Sequence, residues 1–194
     1  MEATTKILIE NVRISYEHVW ESKAIEGSNG CPKYSVSILL PPDHPQMNAI
    51  QNALNAAYAK GIETKWGGKA PAVFRNPIRS GNEKDTTKNP EYAGVYFMSA
   101  SNDRQPMIVD RDKSPLRADV ASEKAKIYSG AYCNVLVNLF PYKNVSTGVG
   151  CSLLGVQFVA DGEAFASQAS TEDFASFEPA APSVTSPFPT LPPR

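Results

Sequence analysis

Residues 127–144 read IYSGAYCNVLVNLFPYKN, and the alternation in this stretch decides the fold class. Successive side chains of a β-strand point to opposite faces. One face carries four residues that suit a core: Cys133, Val135, Val137 and Leu139. The other face mixes rings, amides and a leucine: Tyr132, Asn134, Leu136, Asn138 and Phe140. We interpret this second face either as the floor of a smaller core under a loop or as a platform for a flat ligand with polar edges.

The rest of the chain contains about five more strand-like segments and one helix. The helix is predicted after Asp43, which suits an N-cap, with apolar residues at helical spacing from Met47 to Ala57 and Gly61 at its end. Residues 65–90 are rich in Gly, Pro, Asn and basic side chains and are predicted to form a long exposed loop. The predicted strands span residues 6–20, 32–41, 94–101, 105–112, 129–142 and 148–162.

This order of elements predicts a mainly β protein. The favoured architecture is an OB-fold-like five-stranded Greek-key barrel with one helix. A β-sandwich is the alternative, whereas strands that follow one another directly argue against a doubly wound parallel sheet. Residues 1–166 form the predicted domain. Residues 167–194 are rich in Pro, Ala and Ser and are predicted to be a disordered acidic tail.

Charge is distributed unevenly along the 194 residues, although the net charge is only −1. Residues 1–160 contain 18 Lys and Arg against 15 Asp and Glu, a net charge of +3. Residues 161–194 contain one Arg and five acidic residues, a net charge of −4. The net charge points to no nucleic-acid partner, but the asymmetry between a mildly basic body and an acidic tail is informative.

Motifs for catalysis or metal binding were not found in the sequence. Its three cysteines include no CxxC pair, and His18 and His44 lack a second ligand at metal-binding spacing. Neither a GxSxG elbow nor a phosphate-binding GxxxxGK[ST] loop is present. We therefore expect a binding module without cofactor or metal rather than an enzyme. The start of the chain does not read as a signal peptide, and no apolar run is long enough to cross a bilayer, which favours a soluble intracellular protein.

Basic and aromatic residues are interleaved in several parts of the chain. This combination holds single-stranded nucleic acid, because cations follow the phosphates and rings stack on the bases. Each ring taken alone is more typical of a β-protein core, so the prediction rests on the joint pattern. The predicted DNA-binding residues are Tyr16, Trp20, Lys65, Trp66, Lys69, Phe74, Arg75, Arg79, Lys124, Lys126, Tyr128, Tyr132, Asn134, Asn138, Phe140, Tyr142 and Lys143.

Several blocks of the sequence resemble a bacteriophage single-stranded-DNA-binding protein family that was formerly classed as a domain of unknown function. The blocks run in order from about residue 5 to 166 and include KWGG, NPEYAGVYFMSAS, QPMIVD, YSGAYCNVLVNLFPY and GVGCSLLGVQFVADGE. The chain departs from the family pattern at residues 152–154, where a more polar stretch is expected, and at Ala160, where a base is common. The resemblance implies an OB-fold that coats single-stranded DNA during phage replication or recombination, without catalysis.

Two other function classes are alternatives to this one. A phage virion structural or assembly protein also uses small β-barrels, but it does not need the basic and aromatic loop at 65–79. A nuclease or other phosphodiesterase needs clustered acids for metal ions, and none is apparent in the sequence. The expected partners are single-stranded DNA and, through the C-terminal tail, phage replication or recombination proteins. The expected location is the cytoplasm of the infected bacterial host.

Overall fold

A computed structural model of the chain describes residues 4–24 and 31–165. The predicted tail at 167–194 lies outside the described residues, as does residue 166. Within the described part of the chain, no helix is both long and apolar enough to cross a membrane.

The described residues form seven strands and two α-helices. Two 3₁₀ turns, Gly81–Glu83 and Pro90–Tyr92, lie between β3 and β4. In chain order the elements are β1 (Lys6–Ala24), β2 (Pro32–Leu40), α1 (Met47–Thr64), β3 (Ile78–Ser80), β4 (Tyr96–Asn102), β5 (Met107–Val109), α2 (Ala121–Lys124), β6 (Tyr132–Lys143) and β7 (Thr147–Ala160).

The sheet closes into a five-stranded barrel. Its strand order is β3-β4-β2-β1-β6-β7-β5, and β4 also pairs in parallel with β7 through Ser101 and Ser152. The barrel therefore runs β1-β2-β4-β7-β6 and back to β1, while β3 and β5 extend it at the sides. The prediction of a mainly β, OB-fold-like barrel is confirmed.

The core lies inside this barrel and under α1. The predicted core face of β6 is confirmed, since its four residues, Cys133, Val135, Val137 and Leu139, are at most 1% exposed. Ile50, Leu54 and Ala57 place the apolar side of α1 in the same cluster. Burial raises the pKa of both core thiols, Cys133 and Cys151, to about 12, so neither is an activated nucleophile.

The structure corrects four local predictions. Gln46, rather than Asp43, precedes α1, and Gly61 lies inside the helix rather than at its end. Gly61 is required there because a Cβ atom would lie 2.5 Å from the Trp66 ring. Residues 65–90, predicted to be loop, include β3, whose three residues pair with β4. A second helix, the single turn α2, was also not predicted.

Candidate nucleic-acid interface

Four serines form a shallow floor on the outer face of β2 and β4. They lie opposite one another in two cross-strand pairs, Ser35 with Ser101 and Ser37 with Ser99. The residues that alternate with them, among them Val36 and Met98, point into the core. Because serine is small and its hydroxyl both donates and accepts hydrogen bonds, a ligand backbone can approach this floor closely.

Aromatic and basic side chains from β1 and from the segment before β4 rise beside this floor. Together they enclose a groove of about 440 Å³, which we call the serine groove. The side chains that line it beside the serines include Tyr16, His18, Lys23, Lys84 and Tyr92. The groove is therefore positive and hydroxyl-lined, and it has exposed ring surface at its edge.

One end of the serine groove lies beside a pair of lysines. Lys23 and Lys33 face each other across β1 and β2. Like charges in this position destabilise a sheet. Lys33 is balanced by Asp103, whose Oδ1 atom lies 3.3 Å from the lysine Nζ. Lys23 lines the groove and forms no ion pair with any described residue, so this end offers a cation to an anionic ligand.

The other end is closed by Tyr92. Its side chain is fully buried, its hydroxyl donates to Ser37 Oγ at 2.8 Å, and its ring packs edge-on against Phe97. Burial raises the pKa of this phenol, so it stays neutral and keeps its hydrogen bond. The Tyr92 contacts fix the wall of the groove before any ligand binds.

A second basic depression lies beside the turn between β6 and β7. Backbone hydrogen bonds hold the preceding segment there, because Arg75 N–H donates to Thr147 O at 2.9 Å and Val149 N–H donates to Arg75 O at 3.2 Å. The depression has a volume of about 430 Å³. It brings together three predicted DNA-binding cations, Lys69, Arg75 and Lys143, and we call it the basic cleft.

Two of the residues predicted to bind DNA, Trp66 and Phe74, lie beside this cleft but pack mainly against the core. Trp66 is only 7% exposed, its indole N–H donates to Tyr142 O at 3.1 Å, and its ring lies against Gly61. Phe74 is half-buried, 5.1 Å from the Tyr58 ring and 6.2 Å from the Trp66 ring. Most of the Trp66 ring is therefore packed against the glycine-containing surface of α1, although Trp66 also lines the basic cleft, and its contact with DNA stays a prediction.

The outer face of β6 is largely occupied by contacts within the protein. Asn134 donates to Gln157 Oε1 at 2.9 Å and accepts from the Asn11 backbone at 2.8 Å. Asn138 accepts from Thr5 Oγ1 at 2.9 Å. Tyr132 is half-buried beneath Arg13, with 5.7 Å between the guanidinium and the ring centroid. Phe140, 41% exposed, is the most open ring on this face.

The remaining predicted residues are scattered. Lys124 and Lys126 are paired with Glu21 and Asp110, and the Lys126 contact lowers the pKa of the Asp110 carboxyl. Tyr128 bonds to the Gly162 backbone. Arg79 pairs with Glu83 at 2.8 Å. Three other predicted residues line neither depression. Lys65 is exposed, Trp20 is half-buried against the core, and Tyr142 is half-buried beside Trp66.

Sequence reasoning missed most of the serine groove. Of its residues only Tyr16 was predicted, whereas His18, Lys23, Lys84 and the four serines were not. A signal was present in YSVS at 34–37 and MSAS at 98–101, where serine alternates with core residues in both strands. The register that pairs these serines is set only in the folded sheet.

No group of three or more potential metal-ligating residues occurs in the described part of the chain. A closed five-stranded barrel in the order β1-β2-β4-β7-β6 is an OB-fold, and the serine groove lies on β2 and β4, the second and third strands of that barrel in chain order. The chain belongs to the family described as Enterobacter phage Enc34 ssDNA-binding protein, whose model matches residues 5–183. This match confirms the family resemblance. It also supports the prediction of a binding protein rather than an enzyme. It gives no support to the alternatives of a virion protein or a phosphodiesterase.

Known proteins similar to this chain include protein p50 of Acyrthosiphon pisum secondary endosymbiont phage 1. That protein is 34% identical over 180 residues, which cover 87% of this chain and 92% of its relative. Among solved structures, the single-stranded DNA-binding protein of bacteriophage Enc34 in complex with ssDNA has a TM-score of 0.67 at 24% identity, covering 86% of this chain and 95% of that one. The bacteriophage T7 single-stranded DNA-binding protein gp2.5 has a TM-score of 0.57 at 15% identity, covering 87% and 98%. The two structural likenesses concern the fold.

Proposed function

We propose that this protein binds single-stranded DNA without sequence preference and coats it during phage DNA replication or recombination in the cytoplasm of the infected host. The observation that carries the proposal is the serine groove, which occupies the face that OB-folds use for oligonucleotides. Family membership and the Enc34 complex with ssDNA support the same ligand.

The chemistry of the groove favours contacts to the DNA backbone. Serine hydroxyls and lysine ammonium groups bind phosphate and sugar oxygens, which carry no sequence information. The four floor serines offer no bidentate amide or guanidinium pair of the kind that distinguishes one base from another. We therefore expect an interface that accepts any base sequence.

The proposed DNA path continues from the serine groove to the basic cleft. A third depression, lined by Arg75, Asn76, Ile78, Arg79 and Glu83, is the proposed link between them. It shares Arg75 with the cleft, and Glu83 directly precedes Lys84 of the groove. The outer face of β6 is a second candidate contact surface because Phe140 is open there. It is less favoured, since its two asparagines already have hydrogen-bond partners.

Salt dependence tests the proposed function. Five cations line the groove and the cleft: Lys23, Lys69, Lys84, Arg75 and Lys143. Each phosphate neutralised contributes a slope of about −0.7 to log affinity against log salt for single strands. We expect a total slope of about −2 to −4. A gel shift with mixed-sequence single- and double-stranded oligonucleotides at several salt concentrations measures it, and salt-independent binding or equal affinity for duplex contradicts the proposal.

The acidic C-terminal segment is proposed to regulate this binding and to dock replication or recombination proteins. Its sequence TEDFASFE (171–178) combines three acids with two phenylalanines, which compete with phosphates and bases for a basic groove. Deleting residues 167–194 is expected to tighten single-strand binding several-fold at low salt, with the difference shrinking as salt screens the charges. Titrating full-length and truncated protein side by side tests this, and equal affinities at low salt leave partner docking as the only proposed role.

A further inference from the structure

Tyr16 has an unusual backbone conformation. Its φ angle is +49°, and only two other non-glycine residues in the described part of the chain, Asn11 and Lys113, have positive φ. Asparagine tolerates this left-handed region, whereas a bulky aromatic residue there is a genuine outlier. The position is therefore strained, and such strain persists only where the surrounding structure holds it.

Several contacts hold Tyr16 in this conformation. The pairing of β1 with β2 is irregular between Ser15 and His18, as at a β-bulge. The backbone N–H of Tyr16 donates to Ser129 Oγ at 3.0 Å, and its hydroxyl bonds to Asn89 Oδ1. The ring nevertheless remains 50% exposed at the edge of the serine groove. Burial alone does not account for a strained residue whose side chain is half in water.

Lys84 lies beside the same ring. Its Nζ atom is 5.9 Å from the Tyr16 centroid, 5.9 Å from that of Tyr92 and 5.5 Å from that of Phe97. Among the described residues it has no carboxylate partner within ion-pair distance. The rings stabilise the ammonium group without neutralising it. Its charge therefore remains available to an anion in the groove.

We propose that Tyr16 and Lys84 form a nucleotide subsite, in which the Tyr16 ring stacks on one base and the Lys84 ammonium group binds the adjacent phosphate. The strained bulge serves to present the ring at the groove edge. This inference rests on the proposed function and assigns it a particular pair of residues.

The test uses the full-length protein and a fluorescent oligothymidylate of about 16 nucleotides, the upper site size of an OB-fold. Tyr16→Gly is expected to weaken binding about 5- to 150-fold, the loss that corresponds to one stacked base. Lys84→Met is expected to make the salt slope shallower by about 0.7. Thermal unfolding of Tyr16→Gly and Tyr16→Ala checks the strain: glycine should be the more stable of the two, the reverse of an ordinary strand position.

Tyr96→Ala is the matched control. Tyr96 is 40% exposed on β4, but it shares the strand face of Met98 rather than that of Ser99, so its loss should leave the affinity unchanged. Wild-type affinity in Tyr16→Gly, or an unchanged slope in Lys84→Met, overturns the subsite while binding by the wild type still supports the proposed function. Absence of binding by the wild type overturns both. A Tyr16→Ala variant more stable than Tyr16→Gly refutes the strained bulge.

Discussion

Replacing Ser35 and Ser99 together with glutamate is expected to weaken single-stranded DNA binding by at least about 100-fold. These residues lie on β2 and β4 in the floor of the serine groove. The two new carboxylates meet the DNA phosphates at close range, and opposing like charges cost several kcal/mol across an interface. At about 1.4 kcal/mol per tenfold change, a loss near 3 kcal/mol already gives this factor. Fluorescence anisotropy with an oligothymidylate measures it.

The control for this variant carries the same change in charge elsewhere. Asn48 and Asn52 are exposed on α1, which does not line the groove. Replacing both with glutamate adds the same two negative charges and is expected to weaken binding only slightly, through long-range repulsion that salt screens. Equal losses in the two double variants would mean that net charge matters rather than the groove, and the DNA path would then have to be sought on another face.

The mainly β fold was predictable because side chains suited to a core recur at every second position along β6. In β6 every second residue from Cys133 to Leu139 is buried, so the sequence alone assigns the core face. The opposite face was harder to interpret. Asn134 bonds to groups in β1 and β7, and Asn138 accepts from Thr5 just before β1; those partners become adjacent only in the folded barrel. Alternation identifies the two faces of a strand but does not tell which outer face of a barrel meets the ligand.

The serine groove was not predictable either, because its residues become neighbours only in the folded barrel. Serine residues on a strand are ordinary surface residues until the register pairs them, and the pairs come from strands about 60 residues apart in sequence. Lys84 lies in a segment that was predicted to be loop. Its position beside three rings depends on the Tyr92 and Phe97 packing rather than on any local pattern. Of the residues that line the groove, only Tyr16 is among the DNA-binding residues predicted from the sequence, and that role stays a prediction.

The surroundings of Trp66 depend on packing that composition does not show. The sequence KWGGK places an indole between two lysines, as expected for a ring that stacks on bases. In the folded protein most of this ring is packed against α1, because Gly61 leaves space for the ring five residues later. The lysines stay in water while the indole enters the core.

Trp66→Ala is therefore expected to destabilise the protein by about 3–5 kcal/mol, the usual cost of removing a large buried aromatic side chain. The variant loses the edge-on contact with Tyr58 at 5.2 Å and leaves the Tyr142 carbonyl without its indole donor. Urea denaturation measures the free energy of unfolding. Trp66→Phe keeps a ring but not the N–H group. Its free energy of unfolding is expected to lie between those of the wild type and Trp66→Ala, since an unsatisfied buried acceptor costs about 1–3 kcal/mol.

Val73→Ala is the control that distinguishes the loss of a core side chain from the loss of an exposed side chain in the cleft. Val73 lines the same basic cleft as Trp66 but is 77% exposed, so its truncation should change the free energy of unfolding by no more than about 0.5 kcal/mol. Binding is compared per folded molecule, at a temperature where both variants are native. If the indole is a core residue, Trp66→Ala lowers stability and leaves the affinity for oligothymidylate unchanged. Wild-type stability combined with a large loss of affinity would instead make Trp66 a DNA-stacking residue, and its burial against Gly61 would then have to open when DNA binds.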